Sequence, residues 1–560
     1  MRRKCSPSTW WLADRLTRLS LPALLALADP AAAQIQSPAP TYHRGIDVVD
    51  YDILVELPDS GAAIEGRAVL TVARTAPVDT LRLDLMDLRV DSVLVDNRPV
   101  RFVRDRARIL IPLPVAIGQR FMVAVRYGGE VRDGLIVRAD SAGRWTAFGD
   151  NWPSRGRYWI PSVDHPSDKA TVTWSVLAPS HRRVVANGEL LEETPLAGRR
   201  PPVARARTLT RWRESRPIPV YLMVLAAAPL AYFDLGRSAC GLAEMSGCVR
   251  QSVYVAPELR DYLPGPFAQA GQIVEYFSTL VAPYPYEKLA HVQSSTRFGG
   301  MENATAIFYS DRAFRSRNVS IRLIAHETAH QWFGNSVTQR EWAHLWLSEG
   351  FATYLAALWT QRSLGDSAFR TSMAQTRTQI IESRVTLQRP VIDSAETDYF
   401  KLLNTNSYQK GGWVLHMLRA QVGDTSFFAA LRSYYQKYKH GTALTQELQR
   451  EVEREAKEPL GWFFDQWLRR PGFIDATLRW RFDERARQVV LEVEQSTRFA
   501  PYRFPLKVEI RERDGRAHRA TVPVPAQRTA RLEIPIRLDR APAAVIADPD
   551  VELLANITMR

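Results

Sequence analysis

Apolar and polar residues alternate with a period of two along many short segments between about Val48 and Leu235. Turn residues such as Asp59-Ser60-Gly61 separate these segments. Successive side chains of a strand point to opposite faces of a sheet, so this pattern predicts strands with one buried face. Because helical spacing is nearly absent, we expect an antiparallel β-sandwich domain over residues 45–250.

The pattern changes near Pro257, where apolar residues begin to recur every three or four positions. This spacing places them on one face of a helix, so residues 251–473 are predicted to form a mainly α-helical domain. A short β portion is expected around Leu289–Tyr309. The predicted helices lie at 265–281, 317–334, 348–364, 367–384, 408–422, 442–455 and 461–468.

The two-residue alternation returns from Ala476, after Pro471-Gly472. It predicts a small β domain over residues 474–560. The length of 560 residues is also too great for a single hydrophobic core. The sequence therefore predicts a multidomain α+β protein with three folded parts.

The first 33 residues follow a different order. Basic residues from Arg2 to Arg18 precede an apolar stretch, Leu19–Ala28, and the small residues Ala31–Ala33 follow. This order is typical of a secretory signal peptide, with cleavage near Ala33. The apolar stretch is too short to span a bilayer, and no later segment has 18 uninterrupted apolar residues. We therefore expect an exported protein, periplasmic or extracellular, whose mature chain has no transmembrane anchor.

The cysteines fit this expectation. Cys5 lies within the predicted signal peptide, and Cys240 and Cys248 enclose a short loop with a glycine beside each. In an exported protein, two cysteines this close in sequence are expected to form a disulfide. The alternative, a metal site with two thiolate ligands, would need a second pair of ligands nearby, which the sequence lacks.

The net charge of +14 raises the question of a nucleic-acid partner. However, the lysines and arginines are dispersed among 60 acidic residues, and no basic run is interleaved with aromatic residues. We interpret the charge as an arginine-rich surface and expect no nucleic-acid binding.

The main candidate for chemistry is the motif His326-Glu327-x-x-His330. Residues four positions apart lie on one face of a helix, so both imidazoles can reach the same metal ion. Glu327 lies about 100° around the helix from His326, which places its carboxylate beside the metal. Glu349 opens the next predicted helix, and an antiparallel helix pair would bring it back to the two histidines. Alone, Glu349 would be interpreted as a helix-capping acid; with two histidines it completes the open site of a hydrolytic zinc enzyme.

This arrangement resembles the signature of the gluzincin aminopeptidases, the family of aminopeptidase N and leukotriene A4 hydrolase. Two further motifs support the resemblance. The segment Gly299-Gly300-Met301-Glu302-Asn303 matches the family's Gly-x-Met-Glu-Asn motif and lies upstream of His326. Tyr408-Gln409-Lys410-Gly411 is similar to the family's Tyr-x-Lys-Gly segment.

The resemblance implies a thermolysin-like fold for the catalytic domain and one Zn²⁺ per chain. It implies hydrolysis of the N-terminal peptide bond of peptides through a zinc-activated water, with Glu327 as general base. Tyr408 would stabilise the oxyanion, and Glu302, within the substrate-binding segment 299–303, would bind the free α-ammonium group. Without the resemblance, Glu302 would be an ordinary loop acid and Tyr408 a core aromatic residue.

The sequence also departs from the family. Members usually have a further acidic or amide residue in the β domain that binds the substrate amine, and here only Asp150 and Asn151 are candidates. Many members carry a large C-terminal domain of helical repeats, which the sequence does not show. We therefore expect a more open cleft that lacks the usual C-terminal groups for a substrate carboxylate.

Three alternatives to an aminopeptidase remain at this point. A metallo-endopeptidase would share the zinc site but would also cleave peptides with blocked N-termini. A non-catalytic secreted protein would use zinc only for structure, although structural sites normally have four protein ligands. Epoxide hydrolysis, an activity known in the family, is the third.

Overall fold

A computed structural model of the protein describes residues 45–113, 118–196, 206–243, 246–263 and 265–560. The predicted signal peptide lies outside the described residues. Within them, no helix is both long enough and apolar enough to cross a membrane.

The N-terminal part is rich in β-strands, as predicted. Its largest sheet has eight strands in the order β13-β14-β11-β1-β2-β8-β4-β5, and smaller sheets have the orders β12-β15-β10-β9 and β3-β7-β6. The strands are β1 Ile46–Glu56, β2 Ala63–Arg74, β3 Thr80–Asp84, β4 Arg89–Val95, β5 Arg98–Pro99, β6 Val103–Arg104, β7 Arg108–Pro112, β8 Arg120–Glu130, β9 Leu135–Ala139, β10 Trp145–Gly149, β11 Lys169–Pro179, β12 Arg183–Ala186, β13 Glu189–Leu196, β14 Arg207–Pro219 and β15 Leu225–Ala228.

The expectation of a purely antiparallel arrangement was wrong for one pair of strands. β1 and β11 run parallel, with Asp50 opposite Thr171. More than 100 residues separate the two strands in sequence, so no tight hairpin forces them to be antiparallel.

The middle part combines a mixed sheet with helices. The sheet has the order β16-β17-β18-β20-β19, so β19 is an edge strand, and β21 pairs with β22 elsewhere. The strands are β16 Ala231–Ser238, β17 Val249–Val255, β18 Lys288–Ser294, β19 Gly300–Met301, β20 Ala306–Ser310, β21 Val337–Gln339 and β22 Gly441–Ala443. The helices are α1 Ala270–Leu280, α2 Asp311–Arg315, α3 Ile321–His330, α4 Trp346–Glu382, α5 Arg384–Gln388, α6 Gly411–Tyr438, α7 Thr445–Ala456 and α8 Gly461–Leu468.

The predicted domain boundary at residues 250–251 falls inside β17. This strand pairs with β16 on one side and with β18 on the other. β16 and β17 therefore belong to the sheet of the helical part. Strands of both sheets show the same two-residue alternation, so the pattern alone did not locate the boundary.

The predicted pair of helices at 348–364 and 367–384 forms one long helical run, α4, with a break between them. Gly365 lies at the break with φ of +86°, outside the helical region. Glycine adopts this backbone conformation without the steric penalty that other residues have.

The C-terminal part is a β domain, as predicted. Its two sheets have the orders β27-β24-β23-β29 and β26-β25-β28. The strands are β23 Ile474–Asp483, β24 Gln488–Gln495, β25 Phe504–Arg511, β26 Ala517–Val524, β27 Thr529–Arg537, β28 Ala544–Ala547 and β29 Ala555–Met559. Arg377 of α4 forms an ion pair with Asp548, 2.9 Å between Nη1 and Oδ2, which fastens this domain to the helices.

A partly buried lysine joins the N-terminal β domain to the loop that follows α3. The Lys169 ammonium donates hydrogen bonds to the carbonyl oxygens of Asn335, Ser336 and Gly441, at 2.9, 2.9 and 3.0 Å. A buried cation needs such partners, because burial without them would be costly. The contact fixes the β domain against the end of the helix that carries the metal ligands.

The predicted disulfide between Cys240 and Cys248 is not formed, because Cys240 is a free thiol. The loop between them is closed by the backbone, where Gly241 N–H donates to Gly247 O at 3.0 Å. Burial raises the pKa of the Cys240 thiol to about 11, although a hydrogen bond with Ser278 of α1 opposes the rise. The Cys240 side chain therefore faces α1, and the short loop spacing did not reveal this direction.

Candidate active site

Two consecutive helices position the predicted metal ligands. α3 begins after Ser320, whose hydroxyl oxygen accepts a hydrogen bond from Leu323 N–H at 3.2 Å. Such a cap satisfies a backbone donor at the start of a helix. His326 and His330 lie one turn apart near the end of α3, and Glu349 lies in the first turn of α4.

The three ligand atoms form a small triangle. The Nε2 atoms of His326 and His330 are 3.1 Å apart, and each lies 3.3 Å from Oε2 of Glu349. For a tetrahedral zinc ion with bonds of about 2.0–2.1 Å, ligand atoms are separated by about 3.3–3.4 Å. The three residues therefore fit Zn²⁺ and leave a fourth position for water or substrate.

His330 is held in one orientation by two groups. Its Nδ1 lies 3.2 Å from Phe333 O and 3.0 Å from Ser348 Oγ. A carbonyl oxygen only accepts, so Nδ1 carries the proton and Nε2 keeps its lone pair for the metal. Gly334 makes room for this contact: a Cβ there would overlap Ser348 Oγ, and its φ is +118°. The sequence analysis missed Ser348, whose one signal is its place next to Glu349.

The carboxylate of Glu327 lies against the backbone of Gly300. A Cβ added to Gly300 would lie 2.5 Å from Cδ of Glu327, which is less than any normal contact. Glu327 is buried, and burial raises the pKa of its carboxyl group well above the usual value. A carboxylate with a raised pKa accepts a proton more readily, as a general base must.

Glu302 lies at the His330 end of the metal site. Carboxylate oxygens of Glu302 and Glu327 and a ring nitrogen of His330 lie within 4.8 Å of one another. The backbone carbonyl of Glu302 accepts hydrogen bonds from Gln331 Nε2 at 3.0 Å and Asn335 Nδ2 at 2.7 Å. The residues just after His330 therefore hold the Glu302 loop in place.

Burial raises the pKa of the Glu302 carboxyl group to about 7. The neighbouring carboxylates of Glu349 and Asp150 add to the rise, and His330 opposes it. This cluster of acidic groups is an environment in which a bound ammonium group would be favourable.

The structure distinguishes the two β-domain candidates. Both polar atoms of the Asn151 side chain form hydrogen bonds within the protein: Nδ2 donates to Met223 O at 2.6 Å, and Oδ1 accepts from Trp159 Nε1 at 2.8 Å. Asp150 instead contributes a buried carboxylate close enough to raise the pKa of Glu302, and Arg155 Nη2 lies 2.8 Å from it. The other oxygen of this carboxylate lies 3.5 Å from Arg297 Nε, so Asp150 is the β-domain candidate whose charge acts on Glu302 while it is paired with two arginines.

Tyr408 lies in a π-helical turn, Asn406–Lys410, that precedes α6. Its hydroxyl donates a hydrogen bond to Oε1 of Glu349 at 2.9 Å. Burial, with added repulsion from Glu349 and Glu302, raises the pKa of this hydroxyl well above its usual value. The hydroxyl therefore stays protonated and can donate a hydrogen bond beside the metal site.

A cavity of about 640 Å³ opens over these groups. Gly299, Gly300, Met301 and Glu302 of the predicted substrate-binding segment line it. Asn303 is fully buried and absent from the lining, and its role in binding substrate stays a prediction. The apolar part of the wall comes from Trp152, Phe298, Met301, Leu323 and Leu403.

Two family descriptions match the chain. "Peptidase M1 N-terminal domain" matches residues 48–222, and "Peptidase family M1 domain" matches residues 268–467. Together they span more than half of the 560 residues. The second match contains the three metal ligands, and it also contains Glu327, Glu302 and Tyr408.

Similar proteins include "Aminopeptidase M1-B" of Oryza sativa subsp. japonica, 26% identical over 76% of this chain and 50% of the relative. "Probable aminopeptidase 1" of Saccharolobus solfataricus is 25% identical over 76% of this chain and 54% of the relative. The chain thus spans about half the length of the curated relatives it matches.

Two solved structures are also similar. An M1 zinc metallopeptidase from Deinococcus radiodurans has a TM-score of 0.65 and 27% identity, covering 76% of this chain and 93% of that one. Legionella pneumophila aminopeptidase A in complex with aspartic acid has a TM-score of 0.78, covering 92% of this chain and 60% of that one. Its identity is 16%, so it shows a shared fold alone.

Proposed function

Because the chain belongs to peptidase family M1, we propose that it is a zinc-dependent aminopeptidase that hydrolyses the N-terminal peptide bond of peptides. The observation that carries this proposal is the buried carboxylate of Glu302 beside the metal ligands. A metal site alone would suit any metallopeptidase, whereas an acidic group at a fixed distance from it favours substrates with a free α-ammonium group.

The chain's own residues supply the other parts of the reaction. His326, His330 and Glu349 would hold Zn²⁺, which would supply polarisation of a carbonyl group and a lower pKa for the attacking water. Glu327 accepts a proton from that water and returns it to the leaving amine. The Tyr408 hydroxyl donates a hydrogen bond to the oxyanion that develops on the scissile carbonyl.

The substrate backbone has a natural partner in β19. This strand ends its sheet and is paired on one side with β20, Gly300 opposite Tyr309. An extended peptide can hydrogen-bond to such an edge by adding a strand. In this arrangement the first residue of the substrate lies between Glu302 and the metal site, against the apolar wall of the cavity.

A substitution at Glu302 tests the amine site. We expect Glu302→Gln to reduce kcat/KM for leucine p-nitroanilide by about 100-fold, because a charge-assisted hydrogen bond and an ion pair with the ammonium group are both lost. The wild-type protein should not cleave the N-acetylated form of a peptide whose free form it cleaves. The measurement is kcat/KM for both forms, together with the zinc content of each variant.

The endopeptidase alternative gives the opposite results. Efficient cleavage of N-acetylated peptides, with little change in Glu302→Gln, would favour it. Loss of zinc in Glu302→Gln equal to the loss of activity would show that Glu302 supports the metal site and does not bind the amine.

We also propose that the protein is exported, on the basis of the basic, apolar and small segments in residues 1–33. After expression of the full chain in a bacterial host, mass spectrometry should find an N-terminus at Gln34. Leu25→Arg, which interrupts the apolar segment, should leave the N-terminus intact. An uncleaved wild-type protein in the cytoplasm would contradict the proposal.

A further inference from the structure

Arg322 is a cation in the active-site cavity to which neither the metal site nor the amine site assigns a role. Of the described residues that line the cavity, it is the only lysine or arginine. It is solvent-exposed, and no carboxylate of the described residues lies within ion-pair distance of it. Its one polar contact is marginal, with Nη1 lying 3.5 Å from Ser372 Oγ.

The position of Arg322 on α3 places it in line with the metal ligands. Arg322, His326 and His330 are successive residues at intervals of four, so they form one row along the same face of the helix. Glu302 clusters with His330, at one end of this row. Arg322 lies at the other end, beyond His326, and the cavity includes all four residues.

The cavity therefore has a charge polarity. The carboxylates of Glu302 and Glu327 lie at the His330 end, and the guanidinium of Arg322 lies at the opposite end. A short peptide is a zwitterion with its ammonium group at one end and its carboxylate at the other. Bound with its amine at Glu302, it would direct its carboxylate along α3 towards Arg322.

The length of the row indicates which peptides fit. Arg322 and His330 are eight positions apart, which is about 12 Å along a helix that rises 1.5 Å per residue. An extended peptide rises about 3.3–3.6 Å per residue, so three residues span about 10–11 Å. A cavity of about 640 Å³ is also in the range of about 300–1,000 Å³ that encloses small ligands.

We propose that Arg322 binds the C-terminal carboxylate of short peptides, which makes tripeptides with a free C-terminus the preferred substrate class of this site. The proposal rests on the aminopeptidase function proposed above. A guanidinium group is suited to this task, because its planar donors match the two oxygens of a carboxylate. A longer peptide would carry its carboxylate past Arg322 and lose the contact.

The experiment compares matched substrates that differ only at the C-terminus. Leu-Ala-Ala and its C-terminal amide are hydrolysed by the wild-type holoenzyme, and the released leucine gives kcat/KM for each. We expect the free acid to be favoured about 10-fold, a modest factor because Arg322 is exposed to solvent. For a hexapeptide pair, Leu followed by five alanines, the ratio of acid to amide should be close to one.

Variants then assign the preference to Arg322. In Arg322→Gln the tripeptide ratio should fall to about one, and Arg322→Lys, which keeps the charge, should retain part of it. Arg370→Gln is the matched control, since Arg370 is an exposed arginine on α4 outside the cavity lining. It should leave the ratio unchanged. Zinc content is measured in each variant, because Arg322 is one turn from His326.

The outcomes separate this inference from the proposed function. If the wild-type protein releases leucine from neither peptide nor from leucine p-nitroanilide, the aminopeptidase function itself fails. If it releases leucine but the acid-to-amide ratio is one, or is the same in Arg322→Gln, the role of Arg322 is disproved and the aminopeptidase function stands.

Discussion

Replacing Glu327 with glutamine is expected to lower kcat for leucine p-nitroanilide by about 1,000-fold, within the usual contribution of a general base. The amide keeps the size of the side chain but has no basic oxygen of comparable strength. Glu327 is also outside the triangle of His326, His330 and Glu349, so the variant should bind zinc at one ion per chain. Steady-state kinetics and metal analysis of the same preparation measure both quantities.

The matched control for this experiment is a ligand substitution. Glu349→Gln removes a charged ligand and should lose zinc together with activity, whereas Glu327→Gln should lose activity alone. A Glu327→Gln variant that turns over within a few-fold of the wild-type protein would contradict the proposed mechanism, whatever its metal content.

The second large effect is expected from a single methyl group. In Gly300→Ala the new Cβ would lie 2.5 Å from Cδ of Glu327, so the carboxylate must move. A displacement of about 1 Å in a catalytic group can reduce the rate about 100-fold. We expect a loss of kcat of that size. Zinc content and thermal unfolding should change little, because the group that must move is the end of the Glu327 side chain. Kinetics, metal analysis and a thermal melt test this together.

Gly299→Ala is the control for the methyl group itself. A Cβ at Gly299 would have no atom within 4 Å, and the residue precedes β19 in the same segment. Its effect on kcat should therefore be much smaller than that of Gly300→Ala. Equal losses in the two variants would show that general flexibility of this segment, and not the position of Glu327, determines the rate.

The sequence predicted the parts of the site that depend on local spacing. His326 and His330 are one turn apart on any helix, and the arrangement of two helices brought Glu349 to them. The family resemblance added Glu302 and Tyr408, which composition and periodicity could not distinguish from an ordinary loop acid and a core aromatic residue. The structure brings all five side chains to one cavity.

Features that depend on contacts between distant segments were not predicted. The sequence offered Asp150 and Asn151 without distinguishing them, and it gave no sign of the contact between Ser348 and His330. The direction of the Cys240 side chain depends on its packing against α1, so the short spacing to Cys248 was misleading. Each of these outcomes is decided by tertiary packing, which produces no periodic pattern in the sequence.

The two hydrogen bonds that Gln331 and Asn335 donate to the Glu302 carbonyl have a consequence for how much of a peptide is removed in each turnover. They join the amine end of the cleft to the metal-bearing helix, so the distance between Glu302 and the metal ligands is held fixed. Substitutions at other positions can slow the proposed reaction, but they leave these two hydrogen bonds in place, so each cycle should still release one amino acid. Changing the step from one residue to two would require moving Glu302 away from the helix, and so breaking both hydrogen bonds.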